Sequence, residues 1–308
     1  EDMLNFIKQN IDKVFFNHQH FYNHRDPNQE GLVFIYHNWE SGTDNSPIWD
    51  DIWETMDPPN YKFERRDTTH VDAAQRPTNR EYDYYLHLIE IAKEHNYDDA
   101  KIAELSPFLV QDPLFNAMLI KSNEALIELY EMIGDSEDKI STLKAWQEKA
   151  ITRFNEKLYN EKLGGYVHYD LRNEKQIEHL SSSSFAPLFS NIPTKEHADV
   201  MVKTLIKKFG GEDRYLCASF DPESDRFNPK KYWRGPIWIN LNWMLYNGLN
   251  NYGFTDIANR VKEDSITLIE KYGFYEYFDS RKSVTEHAGY GGNNFSWSAA
   301  LLLDLLKD

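Results

Sequence analysis

The sequence contains a single cysteine, Cys217, among its 308 residues. One cysteine excludes an internal disulfide framework and any zinc site built from several thiolates. Basic residues are also in the minority, because the formal net charge is −16 at pH 7. A surface that binds nucleic acid needs dense basic patches, so this composition argues against a nucleic-acid partner.

Long apolar runs and several catalytic motifs are missing as well. No apolar stretch reaches the roughly 18–20 residues that a membrane-spanning helix needs, so we expect no membrane partner. The motifs GxSxG, GxGxxG and the P-loop are absent, which removes the usual signals for serine hydrolases and for nucleotide or dinucleotide chemistry. No HExxH motif or other convincing metal-binding set of histidines occurs, and we expect neither a metal nor a cofactor.

Aromatic residues, by contrast, are abundant and make up 15% of the chain. Large rings are core residues by default. Rings with a polar tip also suit surfaces that are half apolar and half wet, such as a pocket for sugars. Composition alone leaves both interpretations open.

Helical periodicity dominates the chain. We predict helices over 1–17, 47–56, 79–95, 112–133, 136–159, 194–209, 236–250, 254–272 and 294–307, with a short one near 183–189. Strand signals are confined to 164–173 and 215–220. No Pro-rich or Gly/Ser-rich linker divides the sequence, so we expect one all-α domain over residues 1–308.

Four of the predicted helices begin after loops rich in polar or aromatic residues. These loops are "TDNSP" at 43–47, "QDP" at 111–113, "YWRGP" at 232–236 and "GGNNFSW" at 291–297. Helices with such loops alternate with plain ones, as in a ring of helical hairpins whose inner helices all begin at one end. The pattern therefore predicts an α/α toroid with its site where the loops converge. The helix count falls short of a closed ring, and we expect the missing helices to precede residue 1.

Four motifs, in this order along the chain, resemble those of the (α/α)6-barrel glycoside hydrolases of family 63. They are "HNWESGTDNSP" at 37–47, "YWRGPIWINLNW" at 232–243, "EYF" at 276–278 and "NFSWSAALLLDLL" at 294–306. Within that family the sequence is most similar to the mannosylglycerate and glucosylglycerate hydrolases. The resemblance implies an (α/α)6 toroid that lacks its first N-terminal helices, and hydrolysis of an α-glycosidic bond with inversion.

The same resemblance implies that Asp44 is the general acid and Glu276 the general base. An inverting glycosidase protonates the leaving oxygen with one carboxyl group and activates water with another, roughly 6.5–9.5 Å away. The pKa of the acid must be raised by burial or by a second negative charge. A helix N-terminus lowers a carboxyl pKa. Asp44 must therefore point away from the turn at Pro47, and Ser46 or Asn45 must cap that helix.

Aromatic and polar side chains near these motifs are candidates for substrate binding. The predicted substrate-binding residues are Trp39, Asn45, Tyr85, Trp233, Arg234, Trp238 and Trp297. We expect one or two of the four tryptophans to belong to the core instead. Arg234 could hold sugar hydroxyls or a substrate carboxylate through two parallel bonds, or it could form a structural ion pair.

Three further carboxylates compete for a place in the site. Glu40 lies in the same loop as the predicted acid. Glu286, in the glycine-rich loop "TEHAGYGG", is the reserve base, because such loops often carry pocket residues. Asp112 precedes Pro113 and is either a helix cap or a residue that borders the pocket.

The sequence thus predicts an inverting α-glycoside hydrolase for a small α-mannoside or α-glucoside, such as mannosylglycerate or glucosylglycerate. A trehalase or an oligosaccharide α-glucosidase is the alternative within the enzyme class. A carbohydrate-binding fragment without catalytic activity is the alternative outside it. We expect a cytoplasmic location, with the periplasm as the alternative.

Overall fold

The computed structural model describes residues 2–134 and 136–307, and α-helices dominate it. The α-helices are α1 (Asp2–His24), α2 (Asp50–Trp53), α3 (Asn79–Glu94), α4 (Asp99–Leu105), α5 (Pro113–Ile133), α6 (Glu137–Lys157), α7 (Lys195–Thr204), α8 (Ile239–Asn251), α9 (Thr255–Tyr272) and α10 (Ser296–Leu305). Short 3-10 turns lie at Asn38–Ser41, Pro47–Trp49, Ala73–Gln75, Ser182–Ser184 and Ala186–Leu188.

Local capping explains where the longer helices begin and end. Thr78 and Glu81 form a reciprocal capping box at the start of α3, which satisfies two backbone donors that the helix itself leaves free. Asp112 accepts a hydrogen bond from the backbone N–H of Phe115, and Pro113 occupies the first position of α5. Gly134, with a φ of 67°, ends α5 in the left-handed conformation that glycine adopts most readily.

The helices pack as the inner and outer members of an (α/α)6 toroid. Helices α5 and α8 are buried around most of their circumference, whereas α6 and α9 bury one face and expose the other. Helix α1 packs on α5, α5 on α6, and α8 on α9 and α10. The 3-10 turns at 182–188 lie between α5 and α8 and continue the inner layer.

Short antiparallel strands decorate the loops of this ring. They are β1 (Val110–Gln111), β2 (Tyr159–Asn160), β3 (Gly165–Tyr166), β4 (His168–Asp170), β5 (Lys175–Ile177), β6 (Tyr277–Phe278) and β7 (Gly289–Tyr290). Strands β1, β4 and β5 form one sheet, while β2 pairs with β3 and β6 with β7. The β6–β7 pair places the glycines that follow Tyr290 beside Glu276, which precedes β6.

Most of the predicted helices are confirmed, with some differences. The short helix predicted near 183–189 is a pair of 3-10 turns, and the predicted helix 194–209 ends in a π-helical turn at Leu205–Phe209. Helix α1 continues to His24, seven residues beyond the predicted end, while residue 1 lies outside the described residues. Helix α4 was not predicted. The predicted helix at 47–56 begins as a 3-10 turn and ends at Trp53.

The predicted strand at 215–220 is wrong. The backbone of Tyr215 donates a hydrogen bond to the carbonyl of Ser280, and that of Leu216 to the carboxylate of Asp264. Phe220 forms one isolated bridge with Ser181. The segment is apolar and extended, but its partners are scattered loop and side-chain groups, so no ladder forms.

Two glycines with positive φ provide a test of how tightly the ring is packed. A Cβ atom at Gly31 would lie 2.7 Å from the backbone nitrogen of Ala150 in α6, whereas one at Gly253 would meet nothing within 4 Å. Both substitutions place alanine in the left-handed region, which costs about 1–2 kcal/mol. We expect Gly31→Ala to lower the free energy of unfolding by roughly 1–3 kcal/mol more than Gly253→Ala, because of overpacking. Urea denaturation of both variants measures the difference, and equal losses would contradict it.

Candidate active site

The carboxylate of Glu40, which has little exposure to solvent, braces the loop that carries Asp44. Glu40 accepts hydrogen bonds from the backbone N–H groups of Tyr36 (2.9 Å) and His37 (3.2 Å) and pairs with the guanidinium of Arg25, which follows α1. Arg25 also binds Asp99 at 3.0 Å. Both carboxylate oxygens of Glu40 are therefore engaged in bracing the loop, which is a structural role and not the reserve role that the sequence suggested.

Further contacts fix the backbone of the loop next to Asp44. The backbone oxygen of Asp44 accepts hydrogen bonds from the side-chain amide of Asn38 (2.7 Å) and from the hydroxyl of Tyr85 (3.3 Å). The indole N–H of Trp49 donates to the carbonyl of Thr43 at 3.0 Å. Tyr85 is fully buried, so it contacts this loop through its hydroxyl and presents no free ring face to a sugar.

The side chain of Asp44 points away from the adjoining helical turn. Ser46 caps that turn, as the sequence predicted, by accepting from the backbone N–H of Ile48. The carboxyl group of Asp44 instead accepts a hydrogen bond from the hydroxyl of Tyr232 at 3.2 Å. Burial raises the pKa of Asp44 to about 6, although the Tyr232 hydroxyl and the charge of Arg76 oppose the rise; the negative charge of Glu276 adds to it. Asp44 can thus hold a proton under mildly acidic conditions.

Glu276 lies just before β6, close enough to Asp44 for the two charges to repel, and is 8% exposed. Its carboxylate forms a bidentate ion pair with Arg76, with distances of 3.0 Å to Oε1 and 2.6 Å to Oε2. The backbone N–H of Gly292 donates a third hydrogen bond to Oε2 at 2.9 Å. Among the described residues, Oε1 accepts a single hydrogen bond and keeps a lone pair for a further donor.

Tyr232 and Arg76 connect the two carboxyl groups. The guanidinium carbon of Arg76 lies 4.7 Å from the centre of the Tyr232 ring, an arrangement in which cation and ring attract each other. Gln75 secures the position of Arg76, because its carbonyl accepts from the hydroxyl of Tyr277 and its side-chain oxygen from the backbone N–H of Gly291. Asp44, Tyr232, Arg76 and Glu276 therefore form one continuous row of contacts.

The predicted substrate-binding tryptophans fall into two groups. Trp233 and Trp238 stack at 3.7 Å between ring centres, and Tyr277 stacks on Trp238 at 5.1 Å. These rings are buried and cover each other's faces. Trp39 and Trp297 keep large exposed surfaces. The ring centres of Trp297 and Trp238 are 6.5 Å apart. The exposed pair are the better candidates for a sugar platform.

Two predicted polar ligands join neighbouring loops. Arg234 binds both carboxylate oxygens of Asp50, at 2.9 and 2.6 Å, and donates to the carbonyl of Asn45. It therefore forms the structural ion pair that was the alternative for this residue. The side-chain oxygen of Asn45 accepts from the backbone N–H of Trp233, while its buried amide nitrogen has no partner among the described residues. That nitrogen is therefore an unpaired buried donor next to Asp44 in the chain.

The remaining candidate carboxylates lie elsewhere. Asp112 caps α5 and lies 3.2 Å from the imidazole Nε2 of His168, with both groups buried. Glu286 is exposed in the loop before β7 and does not join the row of contacts around Glu276. The structure thus brings together Asp44, Asn45 and Glu276, and it leaves Glu40, Asp112 and Glu286 outside this group.

Sequence reasoning missed Arg76 and the role of Tyr232. Tyr232 lies inside a quoted motif, and its φ of +42° is unusual for a residue with a bulky side chain. Arg76 follows a polar loop, and no local pattern distinguishes it from a surface arginine. A buried pair of carboxylates is the signal that could have prompted a search for a nearby cation, since buried charges are normally paired.

The described residues contain no group of three or more metal-binding side chains that could hold a metal ion. In the same part of the chain, no helix has the length and apolarity needed to cross a bilayer. The chemistry that the site can perform is proton transfer by two carboxyl groups, one of which has its pKa raised by burial while the other is held in place by an arginine.

Comparison with known proteins finds relatives over most of this chain. The family profile of the mannosylglycerate hydrolase MGH1-like glycoside hydrolase domain matches residues 3–298. The mannosylglycerate hydrolase of Rubrobacter radiotolerans is 38% identical over 94% of this chain and 66% of its own length. The glucosylglycerate hydrolase of Mycolicibacterium hassiacum is 30% identical over 92% of this chain and 64% of its own length. This chain therefore spans slightly less than two thirds of the length of these relatives.

A solved structure of a mannosylglycerate hydrolase has the same fold as this chain. The crystal structure of the family 63 mannosylglycerate hydrolase from Thermus thermophilus, in complex with Tris and D-glycerate, superposes with a TM-score of 0.92 at 36% identity. The match covers 99% of this chain and 72% of the Thermus chain.

The raised pKa of Asp44 predicts how stability changes with pH. The native state holds the proton of Asp44 more tightly than the unfolded chain, whose pKa is near 3.8, so the stabilisation is lost as pH rises towards 6. We expect Asp44→Asn to raise the free energy of unfolding by about 2–3 kcal/mol at pH 8 and to give no gain at pH 3.5. Urea denaturation at the two pH values measures this.

Asp51 provides a control of opposite sign. Although partial burial raises its pKa, the hydrogen bond and charge of Arg226 lower it overall. Asp51→Asn should therefore reduce stability at pH 8. A gain of similar size from both substitutions would show that the effect at position 44 is not electrostatic.

Proposed function

Because this chain belongs to the mannosylglycerate hydrolase MGH1-like glycoside hydrolase family, we propose that it hydrolyses a small α-mannoside or α-glucoside of an acidic aglycone with inversion. Mannosylglycerate and glucosylglycerate are the first candidates for the substrate. The observation that carries this proposal is the row formed by Asp44, Tyr232, Arg76 and Glu276, in which one tyrosine and one arginine join two largely buried carboxyl groups.

Asp44 is the general acid in this proposal. Its protonated carboxyl group donates a proton to the glycosidic oxygen, and the bond between that oxygen and the anomeric carbon breaks. Burial keeps the proton on Asp44 up to a pH of about 6, since its pKa is raised to that value. Proton donation matters most as the bond breaks, because an unprotonated alkoxide is a poor leaving group.

Glu276 is the general base. Its Oε1 atom has a free lone pair for a water molecule, while Arg76 and the backbone of Gly292 hold the carboxylate in place. As water attacks the anomeric carbon from the face opposite the leaving group, Glu276 takes one of its protons. The products are the aglycone alcohol and a free sugar of inverted anomeric configuration.

The positive charge of Arg76 is the reason that we propose an acidic aglycone. Arg76 contacts Glu276 directly and its charge acts on Asp44, and its buried Nε atom has no partner among the described residues. The positive charge of Arg76 would attract a substrate carboxylate that lies near it, without the bidentate pair with Glu276 being broken. A neutral disaccharide such as trehalose offers no such charge, which is why a trehalase activity ranks second.

Two further proposals concern the cellular location and the domain organisation of the enzyme. The one cysteine is buried and its pKa is raised well above its usual range by burial, so it is chemically inert. Such a cysteine fits the cytoplasm and the periplasm equally well; we propose a cytoplasmic location, with the periplasm as the alternative. We also propose that residues 1–308 form a single domain, since the helices form one continuous arc.

Substitution of either carboxyl group tests the proposed roles. We expect Asp44→Asn and Glu276→Gln each to reduce kcat by roughly a hundredfold to ten-thousandfold, because general acid–base catalysis contributes roughly 10²–10⁴-fold per group. Release of mannose or glucose from mannosylglycerate, glucosylglycerate, trehalose, kojibiose and nigerose is measured for each variant. Proton NMR of the first product shows whether the anomeric configuration is inverted.

Glu286→Gln and Asp51→Asn are the matched controls, because both remove a carboxylate outside the row. Both should retain activity. The catalytic assignment would be overturned if Asp44→Asn kept full turnover, or if Glu286→Gln abolished it. Binding of the sugar without turnover by the unchanged chain would favour the carbohydrate-binding alternative.

The hydrogen bond from Tyr232 predicts a shift in the pH profile. We expect kcat/KM to fall above pH 6 as Asp44 loses its proton. Tyr232→Phe removes a donor that lowers the pKa of Asp44, so the alkaline limb should move up by roughly 0.5–1 pH unit. Tyr290→Phe is the control, because the hydroxyl group that it removes contacts the carbonyl of His287. An alkaline limb that stays in place in Tyr232→Phe would exclude Asp44 as the titrating group.

A further inference from the structure

Two fully buried side chains anchor the main chain of Asp44. Its backbone oxygen accepts hydrogen bonds from the amide of Asn38 at 2.7 Å and from the hydroxyl of Tyr85 at 3.3 Å. Asn38 and Tyr85 are both 0% exposed, whereas Asp44 keeps part of its surface in contact with solvent. Asp44 is therefore a partly accessible residue whose backbone is fixed from the protein interior.

The amide of Asn38 is oriented by this contact. With the opposite orientation, its side-chain oxygen would face the carbonyl oxygen of Asp44, and the two acceptors would repel each other. In the observed orientation, Oδ1 of Asn38 is buried and has no hydrogen-bond partner among the described residues. A buried acceptor without a partner costs free energy, which offsets the hydrogen bond that the same amide donates. Folding stability alone therefore gives no reason for an amide at this position.

Asn38 is itself held in place by the loop that it begins. Its backbone carbonyl accepts a hydrogen bond from the hydroxyl of Ser41 at 2.6 Å, and the same hydroxyl accepts one from the backbone N–H of Thr43 at 2.9 Å. The side chain of His37 caps the 3-10 turn by accepting from the backbone N–H of Trp39 at 3.1 Å. The loop is thus closed at one end by the main chain of Asn38 and at the other end by its side chain.

His37 connects the two groups that contact the backbone of Asp44. It precedes Asn38 in the chain, and its Nε2 atom lies 3.0 Å from the backbone oxygen of Tyr85. A neutral imidazole satisfies both of its contacts, because one ring nitrogen donates while the other accepts. Burial lowers the pKa of His37 to about 4, against the opposing effect of its hydrogen bond to Tyr85. These three side chains are therefore uncharged near pH 6, so they hold Asp44 without adding a charge to its surroundings.

We propose that Asn38 is a positioning residue for the general acid, an inference that rests on the proposed function of Asp44. The hydroxyl of Tyr232 holds Oδ2 of Asp44, and Asn38 holds the backbone of the same residue. Because it is held at both ends, the carboxyl group keeps the direction in which it gives its proton to the glycosidic oxygen, as the bond between that oxygen and the anomeric carbon breaks. Asn38 contacts neither the substrate nor the proton. A displacement of a catalytic group by about 1 Å can lower the rate roughly a hundredfold.

The dependence of the rate on the leaving group tests this role. Mannosylglycerate or glucosylglycerate, whichever the unchanged chain cleaves faster, is compared with the α-fluoride of the same sugar. Fluoride leaves without a proton from a general acid, so its release does not depend on the direction of the Asp44 carboxyl group. We expect Asn38→Leu, which keeps the approximate shape of the side chain, to lower kcat for the glycerate substrate roughly a hundredfold. Its kcat for the fluoride should stay within about threefold of the original value.

Asp44→Asn should show the same selective loss, because it removes the acid itself. Asn123→Leu is the matched control, since Asn123 is also 0% exposed and its amide bonds to His18 and Tyr22 between α5 and α1. This control should lower the melting temperature but leave the ratio of the two kcat values unchanged. The ratio does not depend on how much of a variant is folded, so a loss of stability cannot imitate the expected effect.

Tyr85→Phe replaces Asn38→Leu if the latter does not fold, because it removes only the longer of the two hydrogen bonds to the backbone of Asp44. It should change the ratio in the same direction, by roughly twofold to tenfold. Equal losses with both substrates in the folded variant would overturn the role of Asn38, while a selective loss in Asp44→Asn would still support the proposed function. Absence of any turnover by the unchanged chain would overturn the proposed function, and this inference with it.

Discussion

The buried ion pair between Arg76 and Glu276 is the interaction on which the arrangement of the site depends. It joins residues two hundred positions apart, and both side chains are almost completely removed from water. Burial of a charge is costly unless an opposite charge and further hydrogen bonds compensate it. The loop before α3, the ring of Tyr232 and the β6–β7 turn all supply that compensation. Each of these segments is therefore committed to one relative position.

The helices could be predicted from the sequence because their determinants are local. The 3.6-residue period, the Thr78 capping box and the Pro113 start are all readable within a few residues. The short strands were largely missed for the opposite reason. Strands of two or three residues carry too little periodicity, and their pairing depends on which loops the ring brings together. Residues 215–220 illustrate this, since an apolar extended segment became no strand at all.

The site was predictable in part. Asp44 and Glu276 were singled out by their motifs, and the structure brings them to the same row. Arg76 and the bridging role of Tyr232 depend on contacts between distant loops, for which no local pattern exists. Arg234 shows the converse limit. Its residue type suits a ligand and an ion pair equally, and only the position of Asp50 decides between them. The tryptophans behave likewise, because stacking partners determine which ring faces stay free.

The glycine after β7 constrains how this site can evolve. A Cβ atom at Gly291 would lie 2.4 Å from Oε2 of Glu276, so any side chain there would collide with the carboxylate. Because the backbone of this glycine lies on one side and the guanidinium of Arg76 on the other, the side chain of Glu276 cannot adopt a different orientation. New substrate preferences in descendants of this protein would have to arise at exposed positions such as Trp39, which is 42% exposed and where a side chain is free to vary.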